Sequence, residues 1–394
     1  MTGRGSSFDQ RGGGASQEAP PVAAALRGAR SLSAPIVDCQ GVWKIFCDHP
    51  ESALSAMRRD GLDRSAIFQR FGGVVAVENV TFSVAKGEVF CVMGLSGSGK
   101  STLLRHINRL VEPTAGKIII LGEDIGSRSP ADLRRIRAAT IGMVFQHVAL
   151  FPHRTVRDNV AFGLEVRGVR RARRQEVAEE MLALVKLGGW GDRLPHELSG
   201  GMQQRVGLAR ALASDPEILL MDEPFSALDP LIRRELQEEV SRLVRALGKT
   251  TFFITHDLDE AMLLGDRVAI MKDGQFRQVG TPEEIVLRPA DDHVAAFVRH
   301  APRLNFLKAS SLIDPSTLLP SALPIAWPRV EESTRMDELL QYAISSNAPI
   351  VVMAPDGTPK GLITRRSLLK GLQPGGGGDM RLCDEPALNE TAAQ

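Results

Sequence analysis

Cysteine is scarce in this 394-residue chain, which has four, Cys39, Cys47, Cys91 and Cys383, with no CxxC pair among them. This usage argues against a disulfide scaffold and favours a reducing compartment. No run of about 18 apolar residues occurs, so no segment is expected to cross a bilayer by itself. Neither sign of charge dominates, because 48 Lys+Arg oppose 47 Asp+Glu. Net charge therefore gives no argument for binding nucleic acid or an acidic surface.

The length predicts two or three domains, at about 150 residues each. Residues 1–37 are rich in Gly, Ser, Ala and Arg and show no periodicity, and residues 373–394 contain GGGGD and polar residues. Both segments are predicted to be disordered tails. No apolar stretch of sufficient length follows the first basic residue, which argues against a secretory signal. An organellar transit peptide fits less well, because the first segment contains acidic residues.

Between residues 38 and 300, short β-branched runs alternate with helical stretches, which predicts an α/β fold with a largely parallel sheet flanked by helices. A helical insertion is expected at about 48–70 and a charged helical subdomain at about 147–215. The basic run in that subdomain is followed at once by glutamates, so a solvated helix face with pairs such as Arg173 and Glu176 is favoured over a nucleic-acid patch. The predicted strands are 88–93, 117–121, 141–145, 217–221, 250–254 and 267–271.

A smaller α+β unit is predicted over residues 305–372. Its clearest part is the string IVVMAPDGTPKGLITRRSLLKGL. This string predicts a strand, a turn at Asp356 and Gly357, a second strand and then a helix.

Residues 94–101, GLSGSGKS, match the phosphate-binding pattern GxxxxGK[ST] at every fixed position, between an apolar strand and a helix. In such a P-loop the glycines let backbone N–H groups close around phosphate oxygens, and the helix N-terminus adds partial positive charge. Lys100 is expected to reach the β- and γ-phosphates, and the Ser101 hydroxyl to ligate Mg²⁺. A glycine-rich turn without a ligand is the weaker alternative. The candidate phosphate-binding residues are Gly94, Leu95, Ser96, Gly97, Ser98, Gly99, Lys100, Ser101 and Thr102.

The apolar run ILLM ends in two carboxylates, Asp222 and Glu223. An acidic residue after a buried strand says little by itself, but downstream of a P-loop it indicates a nucleotide site. Asp222 is expected to hold Mg²⁺, and Glu223 to polarise an attacking water. The alternative is that Glu223 is an ordinary carboxylate at the start of a helix.

The string LSGGMQQ begins at Leu198 and predicts a second helix terminus that binds an anion. Ser199 suits an N-cap, and the two following glycines expose backbone N–H groups. Because a single-site NTPase does not need a second such terminus, we expect it to cover the nucleotide of a partner subunit. A plain glycine-rich helix cap is the alternative.

Together, LSGGMQQ, the P-loop and MDEP at 221–224 resemble the ATP-binding subunit of an ATP-binding-cassette (ABC) transporter. The resemblance implies a P-loop NTPase nucleotide-binding domain of ABC type with a helical subdomain. It also implies that the chain binds ATP and Mg²⁺. Two copies would form a homodimer in which each nucleotide lies between the P-loop of one copy and Ser199 of the other.

The family pattern assigns roles to three further residues. Gln146, after IGMVF, corresponds to the Q-loop glutamine; Asp229, in SALD, to the D-loop; and His256, after TFFIT, to the switch histidine that contacts the γ-phosphate. The implied catalytic residues are Glu223, His256 and Gln146; the implied Mg²⁺ ligands are Ser101, Gln146 and Asp222; and the implied contacts to ATP across the dimer are Ser199, Gly200, Gly201, Gln203 and Asp229.

The adenine-stacking aromatic has two candidates. Phe71 lies 23 residues before Gly94, and the sequence runs on from it without a gap. Phe46, in WKIF, resembles the family's position for this ring but precedes the helical insertion. Either ring could instead belong to the core, so both remain candidates.

Residues 38–300 are similar to the ATPase subunits of glycine betaine/proline importers, on strings such as WKIFCDHPESAL, FQHVALFPHRTVRDNVAFGLEVRG and THDLDEAMLLGDRVAIMKDGQFRQVGTPEEI. The resemblance implies ATP-driven uptake of quaternary amines at the cytoplasmic face of the inner (plasma) membrane. The implied partners are integral membrane permease subunits and, indirectly, a periplasmic or extracellular solute-binding protein, with no nucleic acid. An importer for an amino acid or a sulfonate, a soluble cassette ATPase and a cassette without catalysis are the alternatives.

This importer family usually ends in two CBS repeats, whereas here only 305–372 resembles one. Its string GLITRRS is similar to the CBS ribose-binding pattern Gly-x-x-Thr-x-x-Asp, but Ser367 stands in the place of the acidic residue. The missing carboxylate argues against adenine-nucleotide sensing and leaves a dimerisation or docking role open.

Overall fold

The computed structural model describes residues 34–314, 316–320 and 322–372. The predicted tail 373–394 and residues 1–33 of the predicted tail 1–37 lie outside this part of the chain. Ile36 and Val37 are buried. The first strand begins at Val37, so the prediction of a disordered tail is wrong for Ile36 and Val37.

Thirteen strands lie within the described residues. They are β1 Val37–Phe46, β2 Val74–Val84, β3 Val89–Met93, β4 Ala115–Ile120, β5 Glu123–Asp124, β6 Ile141–Val144, β7 Ile218–Asp222, β8 Thr250–Thr255, β9 Arg267–Lys272, β10 Gln275–Gly280, β11 Arg329–Glu331, β12 Ile350–Met353 and β13 Pro359–Ile363.

Several helices of the same ranges are closed at their N-termini by short polar side chains. Ser129 and Thr155, for example, each accept a backbone N–H from the third residue along, as N-caps do. The α-helices are α1 Pro50–Asp60, α2 Arg64–Phe71, α3 Lys100–Ile107, α4 Pro130–Ala139, α5 Val156–Val166, α6 Arg171–Leu184, α7 Gly200–Leu212, α8 Pro230–Ala246, α9 Leu258–Leu264, α10 Pro282–Leu287, α11 Asp292–Phe297, α12 Met336–Ser345 and α13 Arg365–Leu372.

The central sheet has six strands in the order β10-β9-β3-β8-β7-β6. Strands β9, β3, β8, β7 and β6 are parallel, and β10 is an antiparallel edge. Every residue of β3, β7 and β8 is buried, as expected for parallel strands covered on both faces. The prediction of a largely parallel sheet is confirmed for this part of the fold, with strand bounds within one residue of those expected.

The expectation of one sheet is wrong for the predicted strand 117–121. It forms β4, which belongs to a second, antiparallel sheet in the order β2-β1-β4-β5. Burial alternates along much of β2, so this sheet has one buried and one more exposed face, as antiparallel sheets allow. Phenylalanine rings join the two sheets: Phe82 of β2 stacks on Phe90 of β3, with ring centroids 5.1 Å apart, and lies 5.5 Å from Phe252 of β8.

The helical insertion expected at about 48–70 consists of α1 and α2. A small core of its own holds it to β1 and β2, with Trp43, Leu54, Ile67 and Val75 among its buried members. Phe68, on α2, lies outside this core, since it is 62% exposed. Phe68 follows Ile67 on a helix whose buried face is narrow.

The predicted helical subdomain contains α5, α6 and α7, which pack on one another. The Arg173 guanidinium lies 2.7 Å from the Glu176 carboxylate on α6, so the predicted ion pair is confirmed. Within the described ranges, no helix is both long and apolar enough to cross a membrane.

The C-terminal unit has the order β11-α12-β12-β13-α13, with β12 parallel to β11 and antiparallel to β13. The turn between β12 and β13 lies at Asp356 and Gly357; the Asp356 carboxylate accepts the Thr358 N–H at 2.9 Å, and Gly357 has φ +79°. The predicted succession of strand, turn, strand and helix is confirmed. The unit shares a hydrophobic core with the part of the chain that precedes it, through residues such as Val298, Phe306 and Leu307.

His106, on α3, is a buried imidazole with a displaced pKa. Its Nδ1–H donates to the Val111 carbonyl at 2.7 Å, and its Nε2 is buried without a partner in the described structure. Burial lowers the pKa of His106 to about 4 and outweighs the opposing effect of the Val111 carbonyl. In the unfolded chain the pKa of His106 is near 6.5. Between pH 6.5 and 4 this imidazole is therefore protonated in the unfolded chain and neutral in the folded one.

We expect the free energy of unfolding to fall by about 3 kcal/mol as the pH drops from 6.5 to 4, through His106 alone. Urea denaturation at several pH values measures this. His106→Gln should flatten that part of the pH dependence, whereas His153→Gln, at an exposed histidine, should not. An unchanged pH dependence in His106→Gln would contradict the assignment.

Candidate active site

The carboxyl ends of β3, β8, β7 and β6 lie at one edge of the central sheet, because these neighbouring strands are parallel. Each is followed by a predicted motif. The P-loop follows β3, His256 follows β8, the acidic pair closes β7, and Gln146 lies just past β6. Ligand sites in open parallel sheets form at this edge.

The P-loop has a backbone that needs glycine. Gly97 and Gly99 have φ of +78° and +103°. A Cβ on Gly99 would lie 2.2 Å from the Ala76 carbonyl oxygen, and one on Gly94 would lie 2.2 Å from the Met271 carbonyl oxygen. The Ser98 Oγ is buried and has no partner among the described residues. The loop is thus a tight cradle with an unused polar group, which fits an anionic ligand.

Lys100 begins α3 and lies under the loop. Its Nζ donates to the carbonyl oxygens of Gly94 at 2.8 Å and Leu95 at 3.0 Å, and lies 3.9 Å from the Glu223 carboxylate. Burial lowers the pKa of Lys100, while the carboxylates of Glu223 and Asp222 oppose that effect. The ammonium group is therefore held between the loop and the acidic pair.

Asp222 and Ser101 come together as predicted: the Ser101 hydroxyl donates to Asp222 Oδ1 at 3.1 Å. Burial raises the pKa of Asp222, with the Ser101 hydrogen bond and Arg105 acting against it. Hydroxyl and carboxylate oxygens are donors that Mg²⁺ accepts, so this pair fits the metal. Gln146 is exposed, and its side chain makes no hydrogen bond to either residue in the described structure.

Glu223 and His256 form the second pair. His256 Nδ1–H donates to Glu223 Oε2 at 2.8 Å. Glu223 has φ +45°, in the left-handed region, and its N–H donates to the Ile254 carbonyl at 3.0 Å. The next helix begins only at Pro230, so the interpretation of Glu223 as a helix-start carboxylate is wrong. A strained backbone that aims a carboxylate at a histidine is typical of functional sites.

A buried network behind His256 was not predicted. Glu260 accepts hydrogen bonds from the Thr255 hydroxyl and from Gln237 Nε2, the latter at 2.8 Å. Burial raises the pKa of Glu260. Gln237 lies 23 residues away, and Thr255 is an ordinary strand residue. The string THDLDEA therefore does not predict that Glu260 is buried and hydrogen-bonded.

Ser199 forms the predicted N-cap of α7. Its backbone is extended, and its Oγ accepts the Met202 N–H at 3.4 Å. The Gln203 side chain donates to the Pro195 and Leu198 carbonyls, at 3.1 and 3.2 Å, and so supports the turn before the helix.

The other residues predicted to act across a dimer differ in their surroundings. A Cβ on Gly201 would lie 2.9 Å from Ile232 Cγ2, so α7 and α8 approach closely there, whereas Gly200 has more room. Asp229 is exposed and precedes α8 without a side-chain capping bond. None of these residues is hydrogen-bonded to the P-loop of the same chain within the described ranges.

The two candidate aromatics occupy different surroundings. Phe46 is 46% exposed at the end of β1, with the Lys44 ammonium 4.8 Å from its ring centroid. It pairs with Val74, two residues before Ala76, the residue whose carbonyl abuts the P-loop. Phe71 is partly buried against the core of the insertion. Phe46 is thus the more accessible ring.

Gly99→Ala should weaken ATP binding by about tenfold or more, because the new methyl group would collide with the Ala76 carbonyl and force the loop to move. Gly97→Ala is the matched control: its backbone is also left-handed, but no atom lies within 4 Å of the added Cβ. ATP titration of both variants measures the difference. Equal losses in the two variants would show that backbone strain alone decides the effect.

Comparisons with known proteins agree with this geometry. The profile of the ABC transporter family matches residues 77–226. The chain is 50% identical over 277 residues to the glycine betaine transport ATP-binding protein OpuAA of Bacillus subtilis, covering 70% of this chain and 66% of that protein. It is 44% identical over 341 residues to the trimethylamine N-oxide transport system ATP-binding protein TmoW of Ruegeria pomeroyi, covering 86% of this chain and 98% of that protein.

Among solved structures, the fold is similar to a dimeric post-hydrolysis state of the ATP-binding cassette MJ0796 bound to ADP and Pi. The TM-score is 0.53 and the identity 31%, over 62% of this chain and 98% of that one. Sequence, fold and site geometry agree, and the chain belongs to the ATP-binding subunits of ABC transporters.

Proposed function

We propose that this chain is the ATP-hydrolysing subunit of an ABC importer that takes up glycine betaine, proline and choline-type quaternary amines. It works as a peripheral subunit at the cytoplasmic face of the inner (plasma) membrane. Its partners are integral membrane permease subunits and, indirectly, a periplasmic or extracellular solute-binding protein. The observation that carries the proposal is the meeting of Lys100, Ser101, Asp222, Glu223 and His256 at one sheet edge.

ATP binds with its phosphates in the loop formed by residues 94–102. Backbone N–H groups and the start of α3 face the phosphate oxygens, and Lys100 exchanges its loop carbonyls for them. Ser101 and Asp222 would hold Mg²⁺, with Gln146 as a further ligand. The bound metal neutralises charge on the phosphate oxygens. Phe46 stacks on the adenine, since its ring is exposed beside the strand that abuts the loop.

Glu223 orients the attacking water, and His256 holds the Glu223 carboxylate in place through the 2.8 Å hydrogen bond. His256, which is half exposed, is free to turn toward the γ-phosphate. Lys100, whose Nζ lies 3.9 Å from the Glu223 carboxylate at the same sheet edge, stabilises the charge that develops on the transferred group.

Two copies pair head to tail, so that each ATP lies between one P-loop and the N-terminus of α7 in the partner. Ser199, Gly200, Gly201, Gln203 and Asp229 face the nucleotide of the other copy. Because no hydrogen bond among the described residues joins the N-terminus of α7 to the P-loop of the same chain, this terminus is available to a partner. Nucleotide then bridges the two copies, and hydrolysis weakens the bridge.

The unit 305–372 is a single CBS-like domain that serves docking or dimerisation rather than nucleotide sensing. Its elements follow the order strand, helix, strand, strand, helix, which supports the CBS assignment. Asp314 accepts a hydrogen bond from the Thr364 hydroxyl at 3.1 Å, and a Cβ on Gly361 would lie 2.4 Å from Ile313. Two residues of the string that resembles a ribose-binding pattern, Gly361 and Thr364, therefore already contact the segment at Ile313 and Asp314.

Trimethylamine N-oxide is a second candidate solute. The relative matched over 98% of its own length is named for that compound, whereas the match to OpuAA covers 66%. Trimethylamine N-oxide and glycine betaine share a trimethylated, positively charged nitrogen balanced by a negative oxygen.

Reconstitution of this chain with its permease and binding protein in liposomes tests the function. With ATP supplied to this subunit, uptake of labelled glycine betaine, choline, proline and trimethylamine N-oxide is compared with that of an amino acid and a sulfonate. We expect uptake of a methylated amine that stops in the Glu223→Gln variant. Uptake of the amino acid or sulfonate alone would contradict the solute class, and ATPase activity that responds only to DNA or ribosomes would contradict transport.

A further inference from the structure

Arg64 is the first residue of α2, in the helical insertion. Its guanidinium group joins two other segments of the chain. It donates to the carbonyl oxygens of Val75 on β2 and Asp273 in the β9–β10 turn, and to the Glu78 carboxylate on β2 at 3.3 Å. One side chain thus fixes the insertion, β2 and the turn relative to one another.

The same two segments form the wall behind the P-loop. The Gly274 N–H donates to the Ser98 carbonyl at 3.0 Å, and the Glu78 N–H donates to the Gly274 carbonyl at 2.9 Å. The Ala76 carbonyl packs so closely on Gly99 that a Cβ there would lie 2.2 Å away. The P-loop therefore rests directly on the segments that Arg64 holds.

The turn between β9 and β10 has a backbone conformation that the contact with Arg64 can stabilise. Asp273 and Gly274 both have left-handed backbones, with φ of +49° and +72°, as in a two-residue hairpin turn. Arg64 binds the Asp273 carbonyl, beside the Gly274 N–H that reaches the loop. The Arg64 and Glu78 side chains are both partly buried, and charge-assisted hydrogen bonds of this kind are stronger than neutral ones.

We propose that Arg64 is a positioning residue for the phosphate-binding loop: it ties the insertion to the wall behind the loop and keeps the loop in its phosphate-accepting shape. The inference rests on the proposed ATPase function. Without Arg64 the competent conformation is less populated, so the apparent affinity for ATP falls by the same fraction. Once ATP is bound the catalytic groups are unchanged, so the effect falls on KM more than on kcat.

The test compares Arg64→Ala and Arg64→Lys with the wild-type full-length chain in steady-state ATPase assays and in titrations with a fluorescent ATP analogue. We expect Arg64→Ala to raise KM for ATP about five- to tenfold, with kcat within about twofold of wild type. Arg64→Lys should recover part of the affinity, because an ammonium group still reaches one carbonyl. Arg59→Ala is the matched control, since Arg59 lies on the same insertion and its side chain is 79% exposed.

Leu54→Ala, in the core of the insertion, separates positioning from general loosening. It should lower the melting temperature without raising KM, and an equal rise in KM for Leu54→Ala and Arg64→Ala would overturn the proposal. Amide hydrogen exchange should quicken at Gly274 in Arg64→Ala alone. If Arg64→Ala fails to fold, Arg64→Lys and Glu78→Gln give the readout, and wild-type KM in both would overturn it.

Different outcomes contradict the proposed function and the role of Arg64. A wild-type chain that neither binds nor hydrolyses ATP contradicts the proposed function. A wild-type chain that hydrolyses ATP, with Arg64→Ala at the wild-type KM, contradicts the role of Arg64 alone.

Discussion

Glu223→Gln is expected to lower ATP turnover by about 10²- to 10⁴-fold while ATP still binds, because an amide cannot accept the proton of the attacking water. Glutamine keeps the shape of the side chain, and its carbonyl oxygen can still accept the His256 hydrogen bond seen at 2.8 Å. Binding should even become easier to observe, since nucleotide is no longer consumed. The variant should therefore accumulate as an ATP-bound dimer.

Phosphate release measures the turnover of this variant, and size-exclusion chromatography with Mg-ATP measures the dimer. Glu217→Gln is the matched control, because Glu217 is an exposed carboxylate just before the other end of β7. It should hydrolyse ATP at the wild-type rate. Fast hydrolysis by Glu223→Gln would remove Glu223 from the role of base.

Lys100→Ala is expected to weaken ATP binding by about 100-fold or more, as the loss of a buried, hydrogen-bonded charge does. The Lys100 side chain is 4% exposed, so folding has already removed most of the water around it, and the triphosphate meets a desolvated charge. Removal of the side chain also leaves the Gly94 and Leu95 carbonyls without their donor.

Isothermal titration calorimetry with ATP and with a non-hydrolysable ATP analogue measures the change in affinity caused by Lys100→Ala. Lys86→Ala, at an exposed lysine in the turn before β3, is the control and should bind as wild type does. Unchanged affinity in Lys100→Ala would contradict the placement of phosphate in the loop. Circular dichroism establishes that both variants are folded.

Local patterns predicted most of the site, because the P-loop, the acidic pair and the Ser199 cap each lie within a few consecutive residues. In the P-loop, for example, the strand, the glycine-rich loop and the helix follow one another directly, so the residues that the phosphate site requires are neighbours in the sequence. The parallel order of β3, β8, β7 and β6 then brings Lys100, Glu223 and His256 together.

Contacts between distant segments were beyond prediction. Arg64 and Asp273 are 209 residues apart in sequence, and no periodicity links an arginine on an inserted helix to a hairpin turn. The pairing of Gln237 with Glu260 depends in the same way on how α8 packs beside α9. The second sheet was missed for a related reason, since the run that forms β4 does not reveal whether its neighbour is parallel.

The apolar interior that passes from the cassette through Val298, Phe306 and Leu307 into the C-terminal unit has a mechanical consequence. A domain joined only by a flexible linker can move without displacing the rest of the protein. Because α12 and α13 share one apolar core with α10 and α11, we expect a displacement of the C-terminal unit to shift those two helices as well.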